Sequence, residues 1–267
     1  MFDRIENKLI DKLDNINVTS VSRLFDCKTS EVGDTLINYF NKREYFTGNI
    51  NLNGILGVKS MGKLKRIDGN LSVGASDIED FGDLKTVEGD IRVSQCRIET
   101  TSKLSYCRSL YIETTSFEKF NNLVEINGDL FLFGTKVESL NNIQLINGKL
   151  NLLLNNKLSS LGDLREVSGD VIISGCKSLN SLGRLYHING SLDLRLSELS
   201  SFGALCELGG YVVTFKSKLI DLYGTELDIL DFKKLGGVFP DMEKIMYVNV
   251  PEKGNLKNFG VVVIGDN

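Results

Sequence analysis

The sequence predicts a mainly β protein, a right-handed β-solenoid with an N-terminal α-helical cap, and three observations carry that prediction. A motif of about 20 residues recurs eight times in register. Directly after a glycine, each copy places two apolar residues in alternation with polar ones, the period of a strand with one buried face. Glycine or asparagine then returns at fixed corners.

The eight copies, called coils 1 to 8 below, span residues 48–68, 69–88, 89–107, 108–127, 128–147, 148–168, 169–189 and 190–209. A ninth, degenerate unit starts at Gly210. Their shared frame is G-x-L-x-L, a polar turn, then L-x-x-L-G/N-x-L-x-x-I. A helix pair needs more than 30 residues, so a period near 20 fits one turn of a solenoid made of short strands and tight corners. Leu71 and Val73, Leu130 and Leu132, and Leu192 and Leu194 supply the inward strand positions, and Ile78, Phe81, Leu84 and Val87 turn further apolar groups to the same axis.

Two corners are legible. Gly62, Gly82, Gly162, Gly183 and Gly203 share a repeat position with Asn121 and Asn141, residues that tolerate positive φ, and Ser102 is the departure. Asp68-Gly69, Asn127-Gly128, Asn147-Gly148 and Asn189-Gly190 mark a second corner before the strand. Backbone geometry accounts for these glycines; neither GxGxxG nor a Walker sequence is present.

The run LFLFGTKVESL, Leu130 to Leu140, resembles the leucine-rich-repeat frame LxLxxNxLxxL with Thr135 in place of Asn. The fuller frame, L-x-x-I-x-G-x-L-x-I, is similar to the receptor L domain over roughly residues 48–230. The resemblance implies a binding scaffold.

Three regions follow: 1–47 as a helical cap of winged helix-turn-helix character, 48–230 as the solenoid, and 231–267 as a strand-rich C-terminal cap. Solenoid ends need capping because they otherwise expose core and strand edges. Phe2, Ile5, Leu9, Leu13 and Ile16 recur at helical spacing, and Val21 to Val32 with Leu36 and Phe40 resembles a helix-turn-helix, with Tyr45 to Leu52 as a wing. A recognition helix presents Arg, Lys, Asn or Gln at its start. This one opens with Ser30, Glu31, Gly33 and Asp34, and residues 1–47 hold seven Lys+Arg against eight Asp+Glu, which disfavours nucleic acid. At the other end, Lys244 to Val250 and Phe259 to Ile264 read as strands.

Across 267 residues, 31 Lys+Arg and 35 Asp+Glu give a net charge of -4, which argues against a general nucleic-acid coat. Apolar runs such as Val261 to Ile264 fall far short of the roughly 20 residues a bilayer requires, and the charged N-terminus lacks a signal-like apolar core. No membrane association and a cytoplasmic location are expected.

Catalytic chemistry is sparse. The cysteines, Cys27, Cys96, Cys107, Cys176 and Cys206, are odd in number and lack CxxC spacing. Cys96 and Cys176 share a repeat position four coils apart, roughly 19 Å at about 4.8 Å per coil, too far for a disulfide or a shared zinc. His187 is the single histidine, at a position that holds Thr86, Glu125 and Glu166 in other coils. Asp90, Asp129 and Asp170 recur one residue after the glycine, a pattern better suited to corner hydrogen bonding than to one glycosidase site. No cofactor, no metal and no enzymatic activity are expected.

The informative surface is the outward strand face. With Leu130 and Leu132 inward, Phe131 and Phe133 must face out. One outward row reads Ser72, Arg92, Tyr111, Phe131, Asn151, Ile172, Asp193 and Val213; the next reads Gly74, Ser94, Glu113, Phe133, Leu153, Ser174, Arg195 and Phe215. Tyr111, Phe131, Phe133, Leu153 and Ile172 thus form an expected apolar patch with a polar rim, the composition of a protein interface. The expected function is non-catalytic binding of a partner protein through these five residues, as an inhibitor or adaptor. The same patch also suits a second copy of the chain. The alternatives are a DNA-binding regulator using residues 20–43 and a glycan-binding or glycan-cleaving β-helix.

Overall fold

A computed structural model describes residues 22–23, 26–210, 212–213 and 218, together with the backbone of strands Met246–Asn249 and Gly260–Val263. The apolar series from Phe2 to Ile16 and most of residues 214–245 lie outside the described residues. The chain divides into two compact units, 1–127 and 128–267, with four coils in each. Each unit is a parallel β-solenoid, about eight turns in all.

In the first unit the strands that follow each glycine stack in parallel register, Ile50 on Leu71, Leu71 on Ile91 and Ile91 on Leu110. A second column pairs Phe46, Ile67, Val87 and Cys107. The second unit repeats the plan, with Leu130, Leu150, Val171, Leu192 and Val212 in one column and Ile146, Val167, Ile188 and Leu208 in the other. The paired strand leucines are fully buried, as are Ile78, Phe81, Leu84 and Val87, so each side of a coil contributes to the interior. Burial on this scale stabilises by about 1.5–3 kcal/mol per large side chain. It becomes available only when coils stack, which is why one repeat could not fold alone.

Tyr45–Phe46 and Ile50–Asn51, expected as a wing, are the first rungs of these parallel columns. The helix before them, α1 (Val32–Asn41), buries Val32, Gly33, Leu36, Tyr39 and Phe40. A Cβ on Gly33 would lie 2.6 Å from the Gly57 carbonyl carbon, so the start of α1 is pressed against the backbone of coil 1. The face left exposed carries Glu31, Asp34 and Asn38. Near the C-terminus, Met246–Asn249 and Gly260–Val263 pair antiparallel, within the two segments read as strands.

The glycine and asparagine corner has a side-chain partner that the repeat frame conceals. Gly62, Gly82 and Ser102 in the first unit donate their N–H groups to Ser60, Asp80 and Thr100, two residues earlier. Asn141, Gly162, Gly183 and Gly203 in the second donate likewise to Ser139, Ser160, Ser181 and Ser201. All seven have φ between 49° and 62°. Ser102, the apparent departure, therefore adopts the same left-handed conformation, because the surrounding coil and the Thr100 cap impose it. The exception is Asn121, which is not among the positive-φ residues. Lys119 stands where the others have an acceptor, and the Asn121 N–H goes instead to Thr101 Oγ1 at 2.9 Å.

The glycines before the strands answer to a different cause. Gly69, Gly89, Gly148, Gly169 and Gly190 do not have positive φ. A Cβ on Gly69 would come within 2.3 Å of the Gly48 carbonyl oxygen, and one on Gly148 within 2.6 Å of Gly128's. Close stacking of one coil on the next excludes a side chain there.

Candidate functional site

Alternation holds on the outward strand face. Along Leu130–Phe133 the two leucines are fully buried and the two phenylalanines half-buried. In the second unit Phe131 lies beside Asn151, and Asn151 beside Ile172, on adjacent rungs. Phe133 and Leu153 occupy the next outward row, both half-buried. Three successive coils thus bring together Phe131, Phe133, Leu153 and Ile172. Tyr111 belongs to the outward row of the first unit, where the Arg92 guanidinium lies 4.2 Å from its ring centroid.

Asn51, Asn151 and Asp193 close their strands with a side-chain hydrogen bond, while Val171–Ile172 is equally short without one. Each of the three accepts the backbone N–H two residues on, from Asn53, Leu153 and Arg195 at 3.0 Å, forming an Asx turn that competes with the ladder. These coils have two-residue strands, Ile50–Asn51, Leu150–Asn151 and Leu192–Asp193, whereas Leu71–Gly74, Ile91–Ser94, Leu110–Glu113 and Leu130–Phe133 run to four.

Asp193 is the most elaborately held charge on this face. Burial opposes its ionisation, but Arg195, bonded side chain to side chain at 2.5–3.0 Å and through its N–H, and the Ser174 hydroxyl at 2.8 Å together hold the carboxyl below its ordinary pKa. A carboxyl whose pKa is lower folded than unfolded stabilises the fold above its unfolded value, near 3.9. That contribution is lost as pH falls through the lower, folded value. Asp193→Asn is therefore expected to destabilise at neutral pH by about 1.5–3 kcal/mol and to flatten stability against pH below about 4, as read by urea unfolding across the acid range.

Beyond the second outward row lies a corner absent from the repeat frame. Gly54, Ala75, Gln95 and Thr114 in the first unit, and Gly134, Leu154, Gly175 and Leu196 in the second, all have φ between 46° and 71°. Leucine is a poor choice for that conformation, which costs an L-residue roughly 1–2 kcal/mol. Leu154 and Leu196 are also 47% and 51% exposed, among the most exposed large apolar side chains of the described residues. Glycine at positions 54, 134 and 175 was the available sequence signal.

The other candidate groups lie along the corners and the second strand column. Asp129 and Asp170 accept the backbone N–H groups of Lys149 and Ser191, one coil on, as Asn49 and Asn70 accept those of Asn70 and Asp90. Asp90 accepts Arg108 Nε at 2.8 Å, which holds its carboxyl below the ordinary range. Cys96, Cys107 and Cys176 are buried thiols, Cys27 and Cys206 are partly buried, and all five are free. Burial pushes Cys107 up to about 12 and Cys176 up to about 11, so neither is a thiolate at neutral pH. His187 Nδ1 stands 3.5 Å from Glu207 Oε2 on the second strand column. Among the described residues there is no cluster of three or more metal-ligating side chains, and no helix is long and apolar enough to cross a membrane.

Compared with known proteins, the chain matches no family model, no curated protein and no solved structure.

Proposed function

We propose that the chain is a non-catalytic binding scaffold of leucine-rich-repeat or L-domain type, which engages a partner protein through its outward strand face. One observation carries the reading: Phe131, Phe133, Leu153 and Ile172 lie outward on three successive coils whose inward positions are already filled by Leu130, Leu132, Leu150, Leu152, Val171 and Ile173. The interior does not need these four groups. Large apolar side chains at outward positions, flanked by Asn151, Ser174 and the Asp193–Arg195 pair, match the apolar core and polar rim of interfaces. Tyr111, held by Arg92, extends the outward row of the first unit.

The polar interior column supports the repeat type. Asn155 Nδ2 donates to Leu132 O at 2.7 Å, and Cys176 Sγ to Leu152 O at 3.0 Å, so the position that leucine-rich repeats give to Asn or Cys is used here to satisfy a carbonyl of the preceding coil. DNA binding through residues 20–43 is disfavoured because the exposed face of α1 carries the carboxylates of Glu31 and Asp34.

The test is affinity capture from the native cell, comparing wild type with Phe131→Asp/Phe133→Asp. Partners retained by wild type and lost from the variant, with both chains unfolding cooperatively, support the reading; equal recovery overturns it. If the variant also sediments as a monomer where wild type is a dimer, the occupant is a second copy.

A further inference from the structure

The corner beside the strand face shows what kind of partner fits it, an inference that rests on the proposed function and narrows it. Leu154 and Leu196 stand two coils apart in one column, with Gly175 between them. A Cβ on Gly175 would meet Leu154 Cδ2 at 2.6 Å, so the Leu154 side chain lies flat over the Gly175 backbone and extends the apolar surface from Leu153 around the corner. Strained, exposed leucines where other coils have glycine or a smaller or polar residue are costly for folding, and nothing in the interior uses them.

Two exposed lysines lie beside this column, Lys157 and Lys177, which follow Leu154 and Gly175 within three residues. The ion pairs described in the second unit join Lys149 to Asp170, Arg184 to Asp163, Arg195 to Asp193 and Lys218 to Glu198, and leave Lys157 and Lys177 outside them. Glu198, the carboxylate at this corner in coil 8, is the one that Lys218 approaches. Along the outward rows of coils 5 to 7, Phe131, Phe133, Asn151, Leu153, Ile172 and Ser174 carry no charge. Exposed like charges on adjacent coils repel one another, and a carboxylate laid between them relieves that repulsion.

We infer that Leu154 and Leu196, with Lys157 and Lys177, form the specificity edge of the binding face, and that the segment they receive is an acidic protein segment in which Asp or Glu stands beside large apolar residues. The leucines contact its apolar side chains and the lysines its carboxylates. The flat seating of Leu154 suits a protein surface rather than insertion into a bilayer.

Selection of short random peptides, displayed on phage, against the full chain tests this directly. Enrichment of sequences that combine Asp or Glu with Leu, Ile or Phe is expected. Affinity for the selected peptides should fall about tenfold or more in Leu154→Gly/Leu196→Gly, which melts at or above the wild-type temperature because glycine accepts the left-handed conformation. Lys157→Glu/Lys177→Glu, a surface change, should weaken acidic peptides similarly and, on reselection, enrich basic ones. Enrichment of uncharged or basic peptides by wild type, unchanged affinity in either variant, or binding to vesicles of anionic lipid in preference to the peptides would overturn the inference. The broader reading falls separately: Phe131→Asp/Phe133→Asp abolishes partner capture if the strand face binds, whatever the charge of the selected peptides.

Discussion

Leu132→Asp is expected to abolish folding, whereas Phe133→Asp, one residue further along the same strand, leaves a cooperative unfolding transition. Leu132 is fully buried, so an aspartate there would carry a carboxylate into an interior built of leucine, isoleucine and valine. The penalty for an unpaired buried charge is several kcal/mol, and the loss of the leucine adds about 2–5 kcal/mol; together they match the whole stability of an ordinary domain, about 5–15 kcal/mol. Phe133 points outward and is half-buried, so its replacement forfeits part of one aromatic contact surface, about 1 kcal/mol. Urea unfolding followed by circular dichroism separates the two. Comparable loss in both variants would refute the inward and outward assignment on which the binding face depends.

The second large effect concerns the polar residue inside the coil stack. Asn155→Ala should cost on the order of 3 kcal/mol, more than most polar substitutions, because Asn155 is a buried junction between coils. Its Oδ1 accepts the Thr135 hydroxyl at 2.7 Å and the Thr135 N–H at 3.3 Å, and its Nδ2 donates to Leu132 O at 2.7 Å. Alanine leaves all three groups without that partner in a space too small and apolar to replace it with several waters. Asn155→Leu restores volume but not the hydrogen bonds and is expected to be no better. Asn155→Cys should recover part of the loss, since Cys176 at the same repeat position already donates to the carbonyl of the preceding coil. Chemical denaturation of the three variants checks this order; alanine as stable as wild type would show that the junction contributes nothing.

Both expectations depend on features legible from different distances. The solenoid itself was written in the residues: eight glycine-led copies, Leu130 and Leu132 alternating with Phe131 and Phe133, and apolar groups at Ile78, Phe81, Leu84 and Val87 that no single coil could bury. Such signals are local in the chain, and the period-2 alternation of a strand follows from backbone geometry alone. The outward direction of Tyr111, Phe131, Phe133, Leu153 and Ile172 follows from the same alternation.

Other features depended on neighbours a full coil away. The glycines before the strands looked like corner residues, yet the carbonyl of the preceding coil, 2.3 Å from a Cβ on Gly69, is what excludes a side chain. Asn121 shares the repeat position of Asn141 but not its conformation, because Lys119 offers no acceptor where Ser139 does. The wing expected over Tyr45 to Leu52 became the first rungs of two parallel columns, since strand edges are satisfied by the coil above them. Leu154 and Leu196 were invisible as corner residues, for leucine carries no local preference for positive φ. The sequence alone determined the repeat, the buried and exposed faces and the scarcity of catalytic groups, all consequences of local periodicity and composition. Tertiary stacking alone decided that Ser102 shares the left-handed corner and Asn121 does not, which glycines are packed against carbonyls, and where strained leucines reach solvent, because those outcomes depend on contacts between residues about twenty positions apart.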